Sequence, residues 1–225
     1  MLDLQDMRRE YKRSELDEAS VEENPFLQFK KWFNEAQESK LLEPNAMVLA
    51  TSSADNIPNI RTVLLKIFDE KGFVFFTNYN SDKAKEIEQN PNVALEFLWL
   101  DLERQVRIIG RCEKISYSES LSYFIKRSRG SQIGAWVSEQ SSIISSRKLL
   151  AMQIEKIKAK FQKGSVPLPD FWGGYRVLPS KIEFWQGRQS RLHDRILYTK
   201  EVGEVSGILE EQPSQEVWKI SRLAP

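Results

Sequence analysis

The chain uses histidine once. That residue, His193, lies in FWQGRQSRLHDR (residues 184–195), two residues after Arg191 and two before Arg195, with Asp194 beside it. In an extended segment side chains alternate between faces, so a spacing of two puts Arg191, His193 and Arg195 on one side. An imidazole flanked by two guanidinium groups suits an anionic, planar ligand. A solvated, charged strand edge is the plainer alternative, and this segment alone leaves it open. Other segments mix cations with hydroxyl and amide groups. RTVLLK has Arg61 and Lys66 at the ends of an apolar run, and ERQVRIIGR alternates Gln105 and Arg107 with Val106 and Ile108. Cations at strand ends can hold a phosphate through charge-assisted hydrogen bonds. TNYNSDKAK offers Thr77, Ser81 and the backbone N–H groups of a helix start, a second kind of anion site. YFIKRSRGSQIGAWVSEQSS adds Tyr123, Arg127, Arg129, Ser131, Gln140 and Ser141. Exposed cations are ordinary, but these clusters together suggest two phosphates and a hydrogen-bonding aromatic ligand.

Several chemistries are disfavoured. There is no GxGxxG after a first strand and no GxxxxGK[ST], so neither a Rossmann dinucleotide site nor a P-loop is indicated. A nucleophile elbow is also missing. The single cysteine, Cys112, excludes an intrachain disulfide; with one histidine it also argues against a transition-metal site, and no metal is expected. Lys+Arg 33 against Asp+Glu 32 leaves a net charge of +1, which provides no global field for nucleic acid or an anionic membrane. Any anion site must be local. No apolar run approaches ~18 residues and no signal-peptide pattern opens the chain, so a cytoplasmic protein is expected.

The elements that must position these residues read mainly as strands. Residues 1–24 are charged and lack apolar periodicity, which predicts a mobile arm unless something docks it. NPFLQFKKWFNEAQESK predicts a helix capped by Asn24 with Pro25 in its first position. Its Phe26, Phe29, Trp32, Phe33 and Ala36 recur at helical spacing and form a core stripe. AMVLATSS, a turn at DNIPN, IRTVLLKIF, a turn at DEKG and FVFFTN predict an antiparallel meander. On a single strand IRTVLLKIF, Arg61 and Lys66 would face opposite sides. SDKAKEIEQN predicts a short helix that Ser81 or Asp82 can cap. VALEFLWL and RQVRIIGRCEKIS return to strand, and SESLSYFIKR and SSRKLLAMQIEKIKAKFQ predict helices. A Pro/Gly-rich connection, KGSVPLPDFWGGYRVLPS, leads to the strands KIEFWQG, RLHDRILYTK and VWKISRLAP. The fold class is therefore mainly β with packed helices, a small barrel formed by one domain over residues 25–225.

Taken in order, RTVLLK, SQIGAWVSEQSS, FWGGYRVLP, FWQGRQSRLHDR and the terminal WKISRLAP resemble the pyridoxine/pyridoxamine 5′-phosphate oxidase family, from MRREY at residues 7–11 to Pro225. The resemblance implies an FMN-binding split β-barrel and a homodimer whose FMN sites are built from both subunits. It also implies oxidation of pyridoxine 5′-phosphate and pyridoxamine 5′-phosphate to pyridoxal 5′-phosphate, with O2 reduced to hydrogen peroxide and ammonia released from the amine. Carried over by motif position, Arg61, Thr62, Val63, Leu64, Leu65, Lys66, Phe76, Thr77, Lys83, Gln105, Gln140, Ser141, Trp185 and Arg195 would bind FMN, with Arg61 and Lys83 on its phosphate. Lys66, Tyr123, Arg127 and Ser131 would hold the substrate phosphate. Arg191, Leu192 and His193 would lie over the substrate ring, with Arg191 and His193 as catalytic groups. Arg8, Arg9, Glu10 and Tyr11 would fold over as a lid. One departure stands out: where the family usually has Arg-Lys after FFTN, this chain has Asp82-Lys83. A split-barrel flavin reductase, or a non-catalytic binding protein for flavin or pyridoxal phosphate, is the alternative. RLHDR and YFIKR argue against the first, and turnover separates the second.

Overall fold

The computed structural model describes residues 4, 6, 9–137, 140–141, 146–201 and 217–225, so Arg8 of the expected lid lies outside the described residues. The chain forms two compact units. Unit 1 comprises Met1–Leu49, Ala94–Gly110 and Pro179–Pro225; unit 2 comprises Ala50–Val93 and Arg111–Leu178. The strands β1 (Ala46–Ser52), β5 (Asn92–Trp99), β6 (Arg104–Lys114) and β7 (Trp172–Gln186) each contribute residues to both.

In unit 1 the first helix, α1 (Pro25–Glu38), starts as its sequence predicts: Asn24 Oδ1 accepts Phe26 N–H at 2.8 Å and Pro25 fills the first turn. Its aromatic stripe is core. Phe29 packs on Phe97 at 5.0 Å between ring centroids, and Trp32 meets Phe184 edge-on at 5.2 Å. Such pairs add about 0.5–1.5 kcal/mol beyond the area they bury. The end of β7 pairs antiparallel with β8 (Asp194–Glu201), which pairs with β9 (Val217–Arg222). That register sets Trp185 opposite Arg195.

Unit 2 holds β2 (Pro58–Leu64), β3 (Ile67–Asp69), β4 (Gly72–Asn78) and four helices: α2 (Asp82–Gln89), α3 (Tyr117–Phe124), α4 (Arg129–Val137) and α5 (Arg147–Lys160). Three readings of the sequence need correction here. IRTVLLKIF is not one strand. Val63 and Leu64 are half-buried and Leu65 is buried, in succession, which a regular two-residue pleat does not permit, so pairing stops at Leu64 and resumes at Ile67. The turn expected at DNIPN falls earlier, closed by Ser53 N–H on Ile57 O at 3.2 Å. Pro58 opens an exposed strand end, where a missing N–H is tolerated. The segment from Trp172 to Ser180, expected as connection, is the first half of β7; Trp172 to Val177 pair with β4. Its glycines serve close approach, since a Cβ at Gly173 would stand 2.1 Å from Tyr79 Oη. SRGSQIGAWV, for which no element is expected from sequence, forms α4, with Gln132 Nε2 bonded to Phe124 O (3.0 Å) and Arg129 Nη1 to Gly164 O (2.9 Å).

Candidate functional site

Unit 2 contains a cavity of about 670 Å³. Arg61, Thr62, Val63, Leu64 and Lys66 line it from the β2 side, Phe76, Thr77, Asp82 and Lys83 from β4 and the start of α2, and Tyr123, Arg127, Gln140, Ser141 and Trp172 close it. The strand break corrects the expectation about Arg61 and Lys66. They line one cavity and do not face opposite sides.

The cations in this cavity are held in different ways. Arg61 is paired with Glu86 at 2.9 Å and bonded to Thr51. Burial alone would raise the Glu86 carboxyl, but hydrogen bonds from Thr51, Asn59 and Arg61 hold it below the usual carboxylate range. Lys83 is 8% exposed and donates to Thr77 Oγ1 (3.2 Å) and Gln140 Oε1 (3.1 Å). Burial pulls its ammonium below the usual lysine range, and the Arg61 cation pulls the same way. Arg127 lies flat over Trp172, its Cζ 4.6 Å from the ring centroid, within a stack in which Phe76 and Tyr123 are 3.9 Å apart. Among the described residues its buried Nη1 has no hydrogen-bond partner. Two buried or half-buried cations whose charged forms are disfavoured by burial, one carrying an unsatisfied N–H, form a site that an anion would stabilise. The aromatic wall suits a flat ring. Asp82 N–H donates to Ser141 Oγ at 3.2 Å, while its carboxylate stays largely exposed, 4.0 Å from Lys85.

Some expected residues stand apart. Leu65 is buried and outside the cavity lining. Ser131 is exposed on α4, bonded to Ser128 at 2.9 Å, and also outside the lining. Ser81 occupies the cap position of α2, but its hydroxyl donates to Asn78 O at 2.7 Å, so it neither caps the helix nor meets the cavity.

Unit 1 carries the histidine cluster. The premise of one extended face fails: Gln189 to Arg191 form a short helical turn in which Ser190 and Arg191 adopt positive φ (54° and 63°), and β8 begins only at Asp194. The chain nevertheless gathers His193, Trp185 and Tyr11. His193 lies 4.6 Å from Trp185 and 5.8 Å from Tyr11, centroid to centroid. Arg188 N–H donates to His193 Nδ1 at 3.1 Å, so the neutral ring carries its proton on Nε2. Burial lowers the imidazole below the usual histidine range; the Arg191 cation adds to this, and Asp194 opposes it. Arg195 is oriented by Glu183, at 2.8 Å, which also takes Arg107. Leu192 is exposed, Gln105 half-buried, and Arg9 and Glu10 exposed.

Glu86 and Glu183, which hold two of the expected cations, were not singled out from sequence. Glu183 left a signal: an acidic residue between Ile182 and Phe184 in an apolar strand needs a cation beside it.

Comparison with known proteins comes to the same place. Residues 33–161 match the family model described as pyridoxamine 5′-phosphate oxidase, and residues 172–225 match one described as the pyridoxine 5′-phosphate oxidase C-terminal dimerisation region. A pyridoxine/pyridoxamine 5′-phosphate oxidase of Crocosphaera subtropica is 59% identical, with 100% of both chains covered. One of Aliarcobacter butzleri is 58% identical over the same full coverage. Among solved structures, PhzG of Burkholderia lata, in complex with tetrahydrophenazine-1-carboxylic acid, superposes with a TM-score of 0.81 at 25% identity, covering 92% of this chain and 95% of that one. The fold is thus the mainly β arrangement with packed helices expected from sequence. Among the described residues no helix is long and apolar enough to cross a membrane.

Proposed function

The chain belongs to the pyridoxamine 5′-phosphate oxidase family, and from that premise we propose that it oxidises pyridoxine 5′-phosphate and pyridoxamine 5′-phosphate to pyridoxal 5′-phosphate. FMN is its cofactor and O2 the acceptor, giving hydrogen peroxide and, from the amine, ammonia. The observation that carries this reading is the unit 2 cavity: Lys83 and Arg127 are desolvated cations beside a wall of stacked aromatic rings. A phosphate supplies the acceptor that Arg127 Nη1 lacks among the described residues, and favours the charged form of Lys83 against its burial.

A bound flavin would supply the redox chemistry, as the two-electron acceptor for oxidation at the exocyclic 4′ carbon on the pyridine ring, with O2 as its own oxidant. The chain's own residues bind and orient. Arg61, Thr77, Lys83, Gln140 and Ser141 hold the flavin phosphate end; Lys66, Tyr123 and Arg127 hold the substrate phosphate. Gln105, Trp185 and Arg195 complete the flavin pocket, with Arg195 kept in place by Glu183. Arg191 and His193 face the substrate ring. His193 presents Nε2–H, because Nδ1 is occupied by Arg188 N–H, and so donates a hydrogen bond to the ring substituents. Arg191 supplies positive charge there and, second to burial, adds to the lowering of the imidazole below the usual histidine range.

The C-terminal segment matches the family's dimerisation region, and the chain acts as a homodimer in which each FMN site draws on both protomers. A monomer with one FMN per chain in analytical ultracentrifugation contradicts that arrangement. The activity itself is tested by purifying the protein and recording its absorption spectrum with and without pyridoxamine 5′-phosphate under anaerobic conditions. One flavin per chain, bleached by substrate and restored by oxygen, is the expected outcome. A colourless protein that binds no added FMN removes the reading.

A further inference from the structure

The charged arm has no apolar face of its own, yet in unit 1 it is seated on one buried carboxylate. Glu103 precedes β6 in the left-handed backbone region (φ 56°) and is 6% exposed. Its Oε2 accepts the backbone N–H groups of both Lys12 and Arg13, each at 2.9 Å, and its Oε1 lies 3.6 Å from Arg9 Nη2. The Glu103 carbonyl accepts Gly187 N–H at 2.7 Å. Gly187 in turn lies directly under Tyr11, for a Cβ there would stand 2.7 Å from Tyr11 Cγ. Further along, Leu16 N–H donates to Asp194 at 3.1 Å, and Arg222 bridges Asp194 (2.8 Å) and Glu18 (2.5 Å).

A buried carboxylate is costly unless its oxygens are satisfied. Those of Glu103 are satisfied by main-chain N–H groups and a guanidinium, all from the arm, so the contact does not depend on which side chains the arm carries at Lys12 and Arg13. A non-glycine residue in the left-handed region persists where its surroundings hold it. The seat fixes one thing of chemical consequence, the ring of Tyr11, edge-on to Trp185 at 5.8 Å and to His193 at 5.8 Å.

We propose that Glu103 is a positioning residue of the reaction: by seating Lys12 and Arg13 it holds Tyr11 against Trp185 and His193, and the arm covers the ring-facing groups only while that carboxylate is in place. The inference rests on the assignment of His193 to the substrate ring, but the arm can be followed without turnover. Amide hydrogen exchange on the purified, cofactor-loaded protein reads it directly. The Lys12 and Arg13 amides are protected in the wild type. Glu103→Ala lowers that protection about tenfold or more, the loss expected for hydrogen bonds to a charged group, with flavin content and melting temperature retained. Glu103→Gln keeps an oxygen acceptor and recovers most of the protection. Gly187→Ala leaves the carboxylate intact but displaces Tyr11, so it tests the seat should Glu103→Ala fail to fold. In steady-state kinetics Glu103→Ala and Gly187→Ala both raise KM for pyridoxine 5′-phosphate more than they change kcat. Unprotected Lys12 and Arg13 amides in the wild type, or equal protection in wild type and Glu103→Ala, overturn the proposal. Protected amides in a protein that turns over neither phosphate would strike the functional reading and leave the seat standing.

Discussion

The two regions that carry the candidate chemistry are built on opposite principles. In unit 2 the cations line a cavity framed by strands and helix ends, and three of them are held by the protein itself: Arg61 by Glu86, Lys83 by Thr77 and Gln140, Arg127 by the face of Trp172. In unit 1 the groups proposed to face the substrate ring sit on a loop between β7 and β8, with Ser190 and Arg191 at positive φ and Arg191 and Leu192 exposed. That loop is fastened by ionic contacts at its ends, Arg188 to Glu15 and Asp194 to Arg222. The difference separates two tasks. Burial desolvates Lys83 and Arg127, the cations proposed to meet phosphates, which strengthens charge-assisted bonds to an anion. A loop held at its ends lets the groups facing the reacting carbon be set by a few hydrogen bonds, as His193 is by Arg188 N–H. Losses at the unit 2 cations should therefore appear as binding and losses at Arg191 and His193 as rate, while loosening the arm that covers those two groups should appear in KM.

The largest effect expected from breaking this division is at Arg191. Arg191→Ala should lower kcat/KM for pyridoxine 5′-phosphate by roughly 30-fold to several-thousand-fold, the range of about 2–5 kcal/mol for a lost charged contact. FMN affinity should hardly change. Steady-state kinetics beside a flavin titration check both halves of that statement.

Next in size is the pair in the cavity. Arg61→Ala should weaken FMN binding, by up to about tenfold because the guanidinium already shares its charge with Glu86. Lys66→Ala should chiefly raise KM for the vitamin phosphate. Flavin fluorescence titrations and KM values that reverse these two phenotypes would show that the roles of the two cations are exchanged.

A smaller effect sharpens the account of the loop. Because the protein has one histidine, 15N NMR of the imidazole reports His193 alone. The neutral ring should show Nε2 protonated and Nδ1 accepting. Its titration midpoint should fall below the ordinary value of ~6.5. Folding here favours the neutral form, so His193 contributes stability that is present above the unfolded value and lost as pH falls through the depressed one. Arg191→Ala should move the midpoint upward, since that cation is one cause of the depression. A midpoint above the ordinary value, or a protonated Nδ1 in the neutral ring, would contradict the donor role.

The smallest effect concerns Asp82, where the family's usual cation is replaced. Its carboxylate lines the cavity but is largely exposed, so its repulsion of a phosphate at ~4 Å is about 1 kcal/mol, the bulk-water value. Asp82→Arg should tighten FMN several-fold at low salt and less at moderate salt. Equal dissociation constants at low salt would mean that the side chain never meets the phosphate.

Much of this was legible in the sequence, and the failures have physical causes. The helix capped by Asn24 and its aromatic stripe were readable because capping and periodicity are local signals. The cations of RTVLLK and YFIKR were readable as site residues, but their geometry was not. Whether Arg61 and Lys66 share a cavity depends on the strand break at Leu65, which is set by how deeply three consecutive apolar residues are drawn in. The RLHDR segment was read as extended, and two positive φ values between Gln189 and Leu192 put it elsewhere. Glycines at 173 and 174 read as part of a Pro/Gly-rich connection because a missing side chain looks the same in sequence whether it permits a bend or a close approach. Glu86, Glu103 and Glu183 act through partners at least 12 residues away in the chain, a distance no local pattern spans.

The division between a region that holds and a region that reacts is tested most directly by rapid-mixing measurement of flavin reduction in the Arg191→Ala protein. Anaerobic mixing with saturating pyridoxamine 5′-phosphate should find one flavin per chain, as in the wild type, and a reduction rate lower by at least about tenfold, equivalent to ~1.4 kcal/mol of barrier. A wild-type reduction rate in the flavin that remains, together with loss of flavin from the protein, would place Arg191 with the binding groups and contradict the division.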